Sequence, residues 1–118
     1  MLSISESDID LLEKKASQAA KTLKSLSNKW RLLILCQLVK GEKSVGELLE
    51  IVDLSQSALS QHLAVLRETD LVSTRRESQS IYYSLKGDEV ATILAALYQV
   101  YCTPAGTSAK SKKRSRKG

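Results

Sequence analysis

Apolar residues follow helical spacing along the first half of the chain. Between Ser7 and Leu26 they recur on one helical face, at Ile9, Leu12, Ala16, Ala19, Ala20 and Leu23. A second helix is predicted from the capping residues Ser27-Asn28 to Gly41, a common helix stop. Its i, i+3, i+4, i+7 stripe contains Leu32, Leu35, Cys36 and Val39. This stripe predicts that Cys36 packs in the core.

Two short helices are predicted next, separated by a tight turn. Ser44-Val45-Gly46-Glu47 is a Ser-x-x-Glu capping box that opens a helix through Val52. Asp53-Leu54 makes the turn, and Ser55 can cap a further helix from Gln56 to about Glu68. Two helices joined in this way are typical of a helix-turn-helix.

The apolar period then changes from 3.6 to 2. Residues 71–76 and 80–85 are rich in strand-forming residues on either side of the polar turn Glu77-Ser78-Gln79, which predicts a β-hairpin. A last helix is predicted from Gly87-Asp88 to Cys102, with one apolar face formed by Val90, Ile93, Leu94, Leu97 and Tyr101. The order α-α-α-α-β-β-α predicts a mainly α fold with a β-hairpin wing, a winged helix-turn-helix.

The chain's 118 residues are enough for one small domain, which we place at residues 1–102. Six of the 18 basic residues lie at 110–117, where there is no acid, so residues 1–109 hold 12 basic and 13 acidic groups. The domain is therefore nearly neutral, and we predict a disordered basic tail at 103–118. With neither a membrane-spanning apolar run nor a signal peptide, the chain is expected to be cytoplasmic and not to bind membranes.

The helix from Gln56 has a small, polar outer face that can enter a DNA major groove. Gln can pair with adenine, and Ser with base edges or phosphates. An ordinary solvated helix face would have the same composition, but the preceding capped helix and the following hairpin favour recognition of double-stranded DNA. The candidate contacts on this helix are Ser55, Gln56, Ser57, Ser60, Gln61, His62 and Arg67.

The hairpin adds Arg75 and Arg76 beside its turn, with Gln79 opposite. Arginines at a wing tip can reach phosphates or a narrow minor groove, although charge on an edge strand also blocks aggregation. His62, the only histidine, borders the buried face, so both a structural role and a DNA contact stay open. It has no second ligand at metal-binding spacing.

The residues do not assemble a catalytic constellation, and no cofactor or enzymatic activity is predicted. The two cysteines allow two interpretations. Cys36 and Cys102 can be inert structural residues, or a reversible redox pair, as exists in some cytosolic proteins. From the residues alone the structural interpretation is favoured.

Three segments carry a family resemblance: Leu26-Ser27-Asn28-x-x-Arg31-Leu32-x-Ile34-Leu35, Ser44-Val45-Gly46-Glu47-Leu48, and Leu54-Ser55-Gln56-Ser57-Ala58-Leu59-Ser60-Gln61-His62-Leu63-x-x-Leu66-Arg67. Over about residues 10–102 the chain resembles the ArsR/SmtB family of bacterial repressors. The resemblance implies a homodimer built from the first and last helices, with two recognition helices in successive major grooves of an operator.

The resemblance also changes the interpretation of the cysteines. The family's metal sites need a Cys-x-Cys on the third helix or histidine on the last helix, and this chain has neither. It is closer to the HlyU/BigR/SqrR branch, whose paired cysteines respond to reactive sulfur species or oxidants. This implies a repressor that releases DNA when Cys36 and Cys102 are linked. Because an apolar setting should raise the pKa of the Cys36 thiol, we expect the more exposed Cys102 to react first and Cys36 to resolve it. A metal-responsive repressor and a constitutive DNA-binding regulator with inert cysteines are the alternatives.

Overall fold

The computed structural model describes residues 4–102, and the basic tail predicted at 103–118 lies outside them. Within the described residues, five helices and three strands follow one another: α1 Glu6–Leu26, α2 Lys29–Val39, β1 Lys43–Ser44, α3 Val45–Ile51, α4 Gln56–Glu68, β2 Val72–Glu77, β3 Ser80–Leu85 and α5 Glu89–Tyr101. This order confirms the predicted winged helix-turn-helix.

Short polar side chains begin most of these helices, as the sequence predicts. The Asn28 carboxamide oxygen accepts from the backbone N–H groups of Trp30 and Arg31, at 2.9 and 3.1 Å. Ser44 and Glu47 form a reciprocal capping box on α3, and Ser55 caps α4 by accepting from the Ala58 N–H at 3.1 Å. These bonds satisfy backbone donors that have no partner inside the helix.

Strand β1 is a feature that the sequence pattern does not reveal. It has only two residues, and it pairs antiparallel with β3 to give a sheet of order β1-β3-β2. Alternation of apolar and polar residues cannot be recognised over two positions. The strand therefore ties the segment after α2 to β3 of the wing by backbone pairing.

The core is aliphatic and centres on α2 and α4. It contains Leu26, Ile34, Leu35, Leu38, Leu48, Val52, Leu59, Leu63, Leu66, Leu71, Val72, Tyr83, Val90 and Leu94. The predicted stripe on α2 is half right: Leu35 is buried and Leu32 packs against the core, whereas Cys36 and Val39 are exposed. The other buried residues of α2 are Ile34 and Leu38, which the stripe leaves out. α2 is apolar on almost every side, so periodicity does not identify the face that packs.

α1 and α5 expose large apolar side chains in this single chain. On α1 the buried residues are confined to its last turn, and the exposed ones include Ile9, Leu11, Leu12 and Leu23. On α5, Val90 and Leu94 are buried as predicted, but Tyr101 is 79% exposed. Apolar surface on two helices, at opposite ends of the sequence, is typical of a protein-protein interface.

Candidate DNA-binding surface and thiol pair

The outer face of α4 is exposed and available for contact. Leu59, Leu63 and Leu66 are buried and fix the orientation of the helix. The predicted contact residues on the opposite side are all exposed: Ser55, Gln56, Ser57, Ser60, Gln61 and Arg67. The outer face therefore offers hydroxyl, carboxamide and guanidinium groups to a ligand, as the helical periodicity predicts.

An open groove lies between α4 and the wing. Its walls include Gln56, Ser60 and Arg67 from α4, and Gln79 and Ser80 from the wing. Residues that lie about twenty positions apart in the sequence are thus brought to one surface. The structure places Gln79 with the helix residues, as a DNA-binding surface with a wing would require.

The two wing arginines have different surroundings. Arg75 is paired with the carboxylates of Glu42, at 2.7 Å, and Glu77, at 2.8 Å. Hydrogen bonds from Arg75 hold the pKa of the Glu42 carboxyl below its ordinary value, and those with Glu42 and Glu77 raise the pKa of Arg75. Arg76 has no ion pair with another of residues 4–102. The sequence predicts the same DNA contact for both arginines, but in the structure the charge of Arg75 is paired and that of Arg76 is not paired within residues 4–102.

His62 is partly buried at the border of the core. Burial lowers the pKa of its imidazole, and the nearby Arg31 guanidinium lowers it further. The neutral form is therefore favoured at neutral pH. This environment suits a structural residue, and the partial exposure also leaves an edge of the ring available, so both predicted roles stay open.

Arg31 has a structural function that the sequence does not reveal. Its Nε–H donates to the backbone carbonyl of Ser25 at 2.7 Å, and Nη2 donates to that of Lys24 at 3.4 Å. Carbonyls in the last turn of a helix have no partner inside it. Arg31 therefore ties the end of α1 to α2. The only signal in the sequence is that an arginine follows shortly after the predicted end of a helix, which is too common to predict this contact.

Cys36 and Cys102 are both free thiols, and both are exposed. The prediction that Cys36 is buried is therefore wrong. Neighbouring atoms nevertheless shield its sulfur enough for burial to raise the pKa of the Cys36 thiol, and repulsion from Cys102 raises it further. Since α2 packs against α5, the two helices bring the thiols into the range of charge–charge interaction although 66 positions separate them.

Within residues 4–102, no group of three or more His, Cys, Asp and Glu side chains is arranged to hold a metal ion. None of the helices in this part of the chain is long and apolar enough to cross a membrane.

The helix-turn-helix, the exposed polar face of α4 and the hairpin beside it define a winged helix-turn-helix transcription regulator. Comparisons with known proteins agree: residues 28–74 match the family described as bacterial regulatory protein, arsR family. This chain belongs to the ArsR family, which confirms the resemblance in its sequence. Members of this family are DNA-binding regulators, and the protein is not an enzyme.

Similar proteins include both a repressor and an activator of transcription. The chain is 45% identical over 103 residues to the biofilm growth-associated repressor of Agrobacterium fabrum, covering 87% of this chain and 88% of that protein. It is 48% identical over 91 residues to the transcriptional activator HlyU of Vibrio cholerae, covering 77% and 84%.

Solved structures of relatives have the same fold. The transcriptional repressor BigR from Xylella fastidiosa superposes with a TM-score of 0.76 at 44% identity, covering 80% of this chain and 96% of that one. Reduced HlyU from V. cholerae gives a TM-score of 0.72 at 48% identity, covering 78% and 97%.

Proposed function

We propose that this protein is a homodimeric repressor that binds operator DNA when reduced and releases it when Cys36 and Cys102 become covalently linked. The observation that carries the proposal is the pair of exposed, free thiols, with Cys36 in α2 and Cys102 directly after α5, on helices that pack together. Two further findings support it: relatives of this chain are named repressors, and a structure of reduced HlyU has the same fold.

The proposed homodimer would be built from α1 and α5. Their exposed apolar residues, among them Leu12 and Leu23 on α1 and Val100 on α5, have no cover in the single chain. A second copy would supply that cover and remove apolar surface from water. Each dimer would then present two α4 helices to two operator half-sites.

The proposed chemistry uses an alkyl persulfide such as glutathione persulfide. The Cys102 thiolate attacks the outer sulfur of the persulfide, which leaves Cys102 as a persulfide and releases glutathione. The Cys36 thiolate then attacks Cys102 Sγ and displaces hydrosulfide, forming the disulfide. With hydrogen peroxide, the two thiols lose two electrons and two protons, and the oxidant leaves as two waters.

The proposed order of attack follows from the state of Cys36. Because its thiolate is disfavoured by burial and by the neighbouring Cys102, Cys36 is the poorer first nucleophile at neutral pH. Once Cys102 has become a persulfide, the second attack is intramolecular, and proximity compensates for the low thiolate fraction.

The covalent link would act on DNA binding through the dimer. It joins α2, which packs on α4, to α5, which would form the interface. A small shift between α2 and α5 would change the spacing of the two α4 helices and break several DNA contacts together. Near-complete release requires the two states to differ by about 5 kcal/mol in DNA affinity.

The test combines operator binding with mass spectrometry on the reduced protein and after treatment with glutathione persulfide or peroxide. We expect an intramolecular Cys36–Cys102 link and loss of operator binding, both reversed by a thiol reductant. The Cys36→Ser and Cys102→Ser variants should bind DNA both before and after treatment with either reagent, because neither variant can form the link. A Cys36→Ser variant that still releases DNA under persulfide would contradict the dithiol mechanism.

The alternatives have their own signatures in these measurements. Zn²⁺ or another divalent ion that releases DNA from the reduced protein would indicate a metal-responsive regulator. Operator binding that is the same before and after linking would indicate a constitutive regulator with inert thiols.

A further inference from the structure

The guanidinium of Arg75 is surrounded by partners from its own wing and from the loop after α2. Its Nε–H and Nη2–H donate to the two carboxylate oxygens of Glu42, at 2.7 and 2.9 Å. Nη1 donates to Glu77 at 2.8 Å, and the group lies 4.7 Å from the centroid of the Tyr82 ring. We call these four residues the Arg75 clamp.

The clamp adds a side-chain link between two parts of the chain that the backbone pairing of β1 with β3 already brings together. Glu42 follows α2 and precedes β1, and Arg75 lies in β2, on the far side of β3 from β1. The base of the hairpin is fixed by buried Val72 and Tyr83, but residues 73–80 are all exposed. The clamp therefore adds a polar contact between the outer half of the wing and the loop after α2, beside the packing of Ile81 against the core.

The charges of the clamp disfavour a contact between Arg75 and a DNA phosphate. One positive charge is matched by two carboxylates, so the cluster carries a net charge of −1 and would repel a phosphate. The planar guanidinium of Arg75 already forms a bidentate pair with Glu42, which is the geometry that a phosphate would also need. Arg75 is thus committed to protein partners.

Arg76 is placed differently. Side chains alternate along a strand, so Arg76 points to the other face of β2, where its cross-strand partner is Ile81. It is exposed, and residues 4–102 offer it no carboxylate within ion-pair distance. Its charge is available to a phosphate.

We propose that Arg75 is a positioning residue, which Glu42 and Glu77 hold so that the wing is set for DNA, and that Arg76 makes the wing's phosphate contact. This inference rests on the operator binding proposed above. It assigns different roles to two adjacent arginines that a sequence comparison would treat as one basic pair.

Glu42→Gln is the most informative variant, because the two roles of Arg75 predict opposite results. If Arg75 positions the wing, Glu42→Gln weakens operator binding, by up to about fivefold, the upper range for an exposed ion pair. If Arg75 contacts phosphate, removing the acid releases it and binding becomes stronger. Asp70→Asn is the matched control, since it breaks the exposed Asp70–Lys86 pair, 2.7 Å long, with the same change of charge.

Arg75→Lys and the salt dependence of binding separate the roles further. Lysine can satisfy a phosphate but cannot form the bidentate pair, so Arg75→Lys should bind as weakly as Arg75→Gln. In neither variant should the slope of log affinity against log salt change. Arg76→Gln should lower that slope by about 0.9 for each wing that engages a phosphate. The double variant Glu42→Gln/Arg75→Gln should be no weaker than either single variant.

A measurement without DNA keeps the positioning role testable if the proposed operator binding fails. Hydrogen exchange of the hairpin, residues 72–85, should be faster in Glu42→Gln and Arg75→Gln than in the wild type and Asp70→Asn. Unchanged exchange in both clamp variants would overturn the inference. So would stronger operator binding by Glu42→Gln, wild-type binding by Arg75→Lys, or an unchanged salt slope in Arg76→Gln.

Discussion

Linking Cys36 to Cys102 should stabilise the folded chain by an amount that the chain separation predicts. The two residues lie 66 positions apart, so the disulfide closes a long loop in the unfolded state. The chain-entropy relation gives an entropy loss of about 15 cal/mol/K for such a loop. At 25 °C this raises the free energy of unfolding by about 4 kcal/mol, provided that the native positions of the thiols accept the bond without strain.

Urea unfolding followed by circular dichroism measures this difference at a fixed protomer concentration. With an m-value of about 2 kcal/mol/M, the linked protein should unfold at a urea concentration about 2 M higher than the reduced protein. Cys102→Ser, treated with the same oxidant, is the control and should not change. Non-reducing electrophoresis should show that the linked species is a single chain.

Two results would refute this reasoning. A linked protein that is no more stable than the reduced one would mean that α2 and α5 must distort to join their thiols, which cancels the entropic gain. A product linked between two chains would mean that the reactive pair lies across the dimer. The first result would refute the predicted gain in stability, and the second would remove the structural basis of the intramolecular switch.

Three further predictions concern the recognition helix and its surroundings. Ser55→Ala removes the hydroxyl that caps α4 and should cost about 1 kcal/mol of unfolding free energy in urea, whereas the exposed Ser60→Ala should stay within about 0.5 kcal/mol; equal losses would contradict the capping role. Because burial and Arg31 lower the folded pKa of His62 below its ordinary value of 6.5, the unfolded state binds a proton first. Stability should therefore fall as pH drops through about 6.5, and His62→Gln should flatten that profile; an identical slope in the variant would contradict it. Deleting residues 103–118 removes six basic residues and should lower the salt slope of DNA binding by up to about 0.9 for each one that meets a phosphate. An unchanged slope would leave the segment a solubilising role.

The elements with local signals are predictable from the sequence. The Ser44–Glu47 capping box and the Ser55 cap start α3 and α4 where the sequence places them, because each cap involves side chains and backbone only three residues apart. The exposed face of α4 follows equally well from its 3.6-residue period. The family also follows, since its motif lies in these same segments.

Burial on α2 is decided by the tertiary structure alone. Its residues are apolar on nearly all sides, so the sequence contains no contrast from which to choose a face, and only packing against α1, α4, α5 and β3 shows that Cys36 lies outside. The same packing brings Cys36 close enough to Cys102 for repulsion between the two thiolates to raise the pKa of the Cys36 thiol.

The division of labour between the wing arginines depends in the same way on distant parts of the chain. Arg75 and Arg76 are adjacent in sequence, and the sequence by itself determines that both are basic and close to a turn. Only the fold brings Glu42, 33 positions away, to Arg75 and leaves Arg76 on the opposite face. Helix caps and helical periodicity depend on residues close together in the sequence, so the sequence by itself determines them. Charge pairing and thiol proximity depend on residues far apart in the sequence, so they are decided only when helices and strands pack.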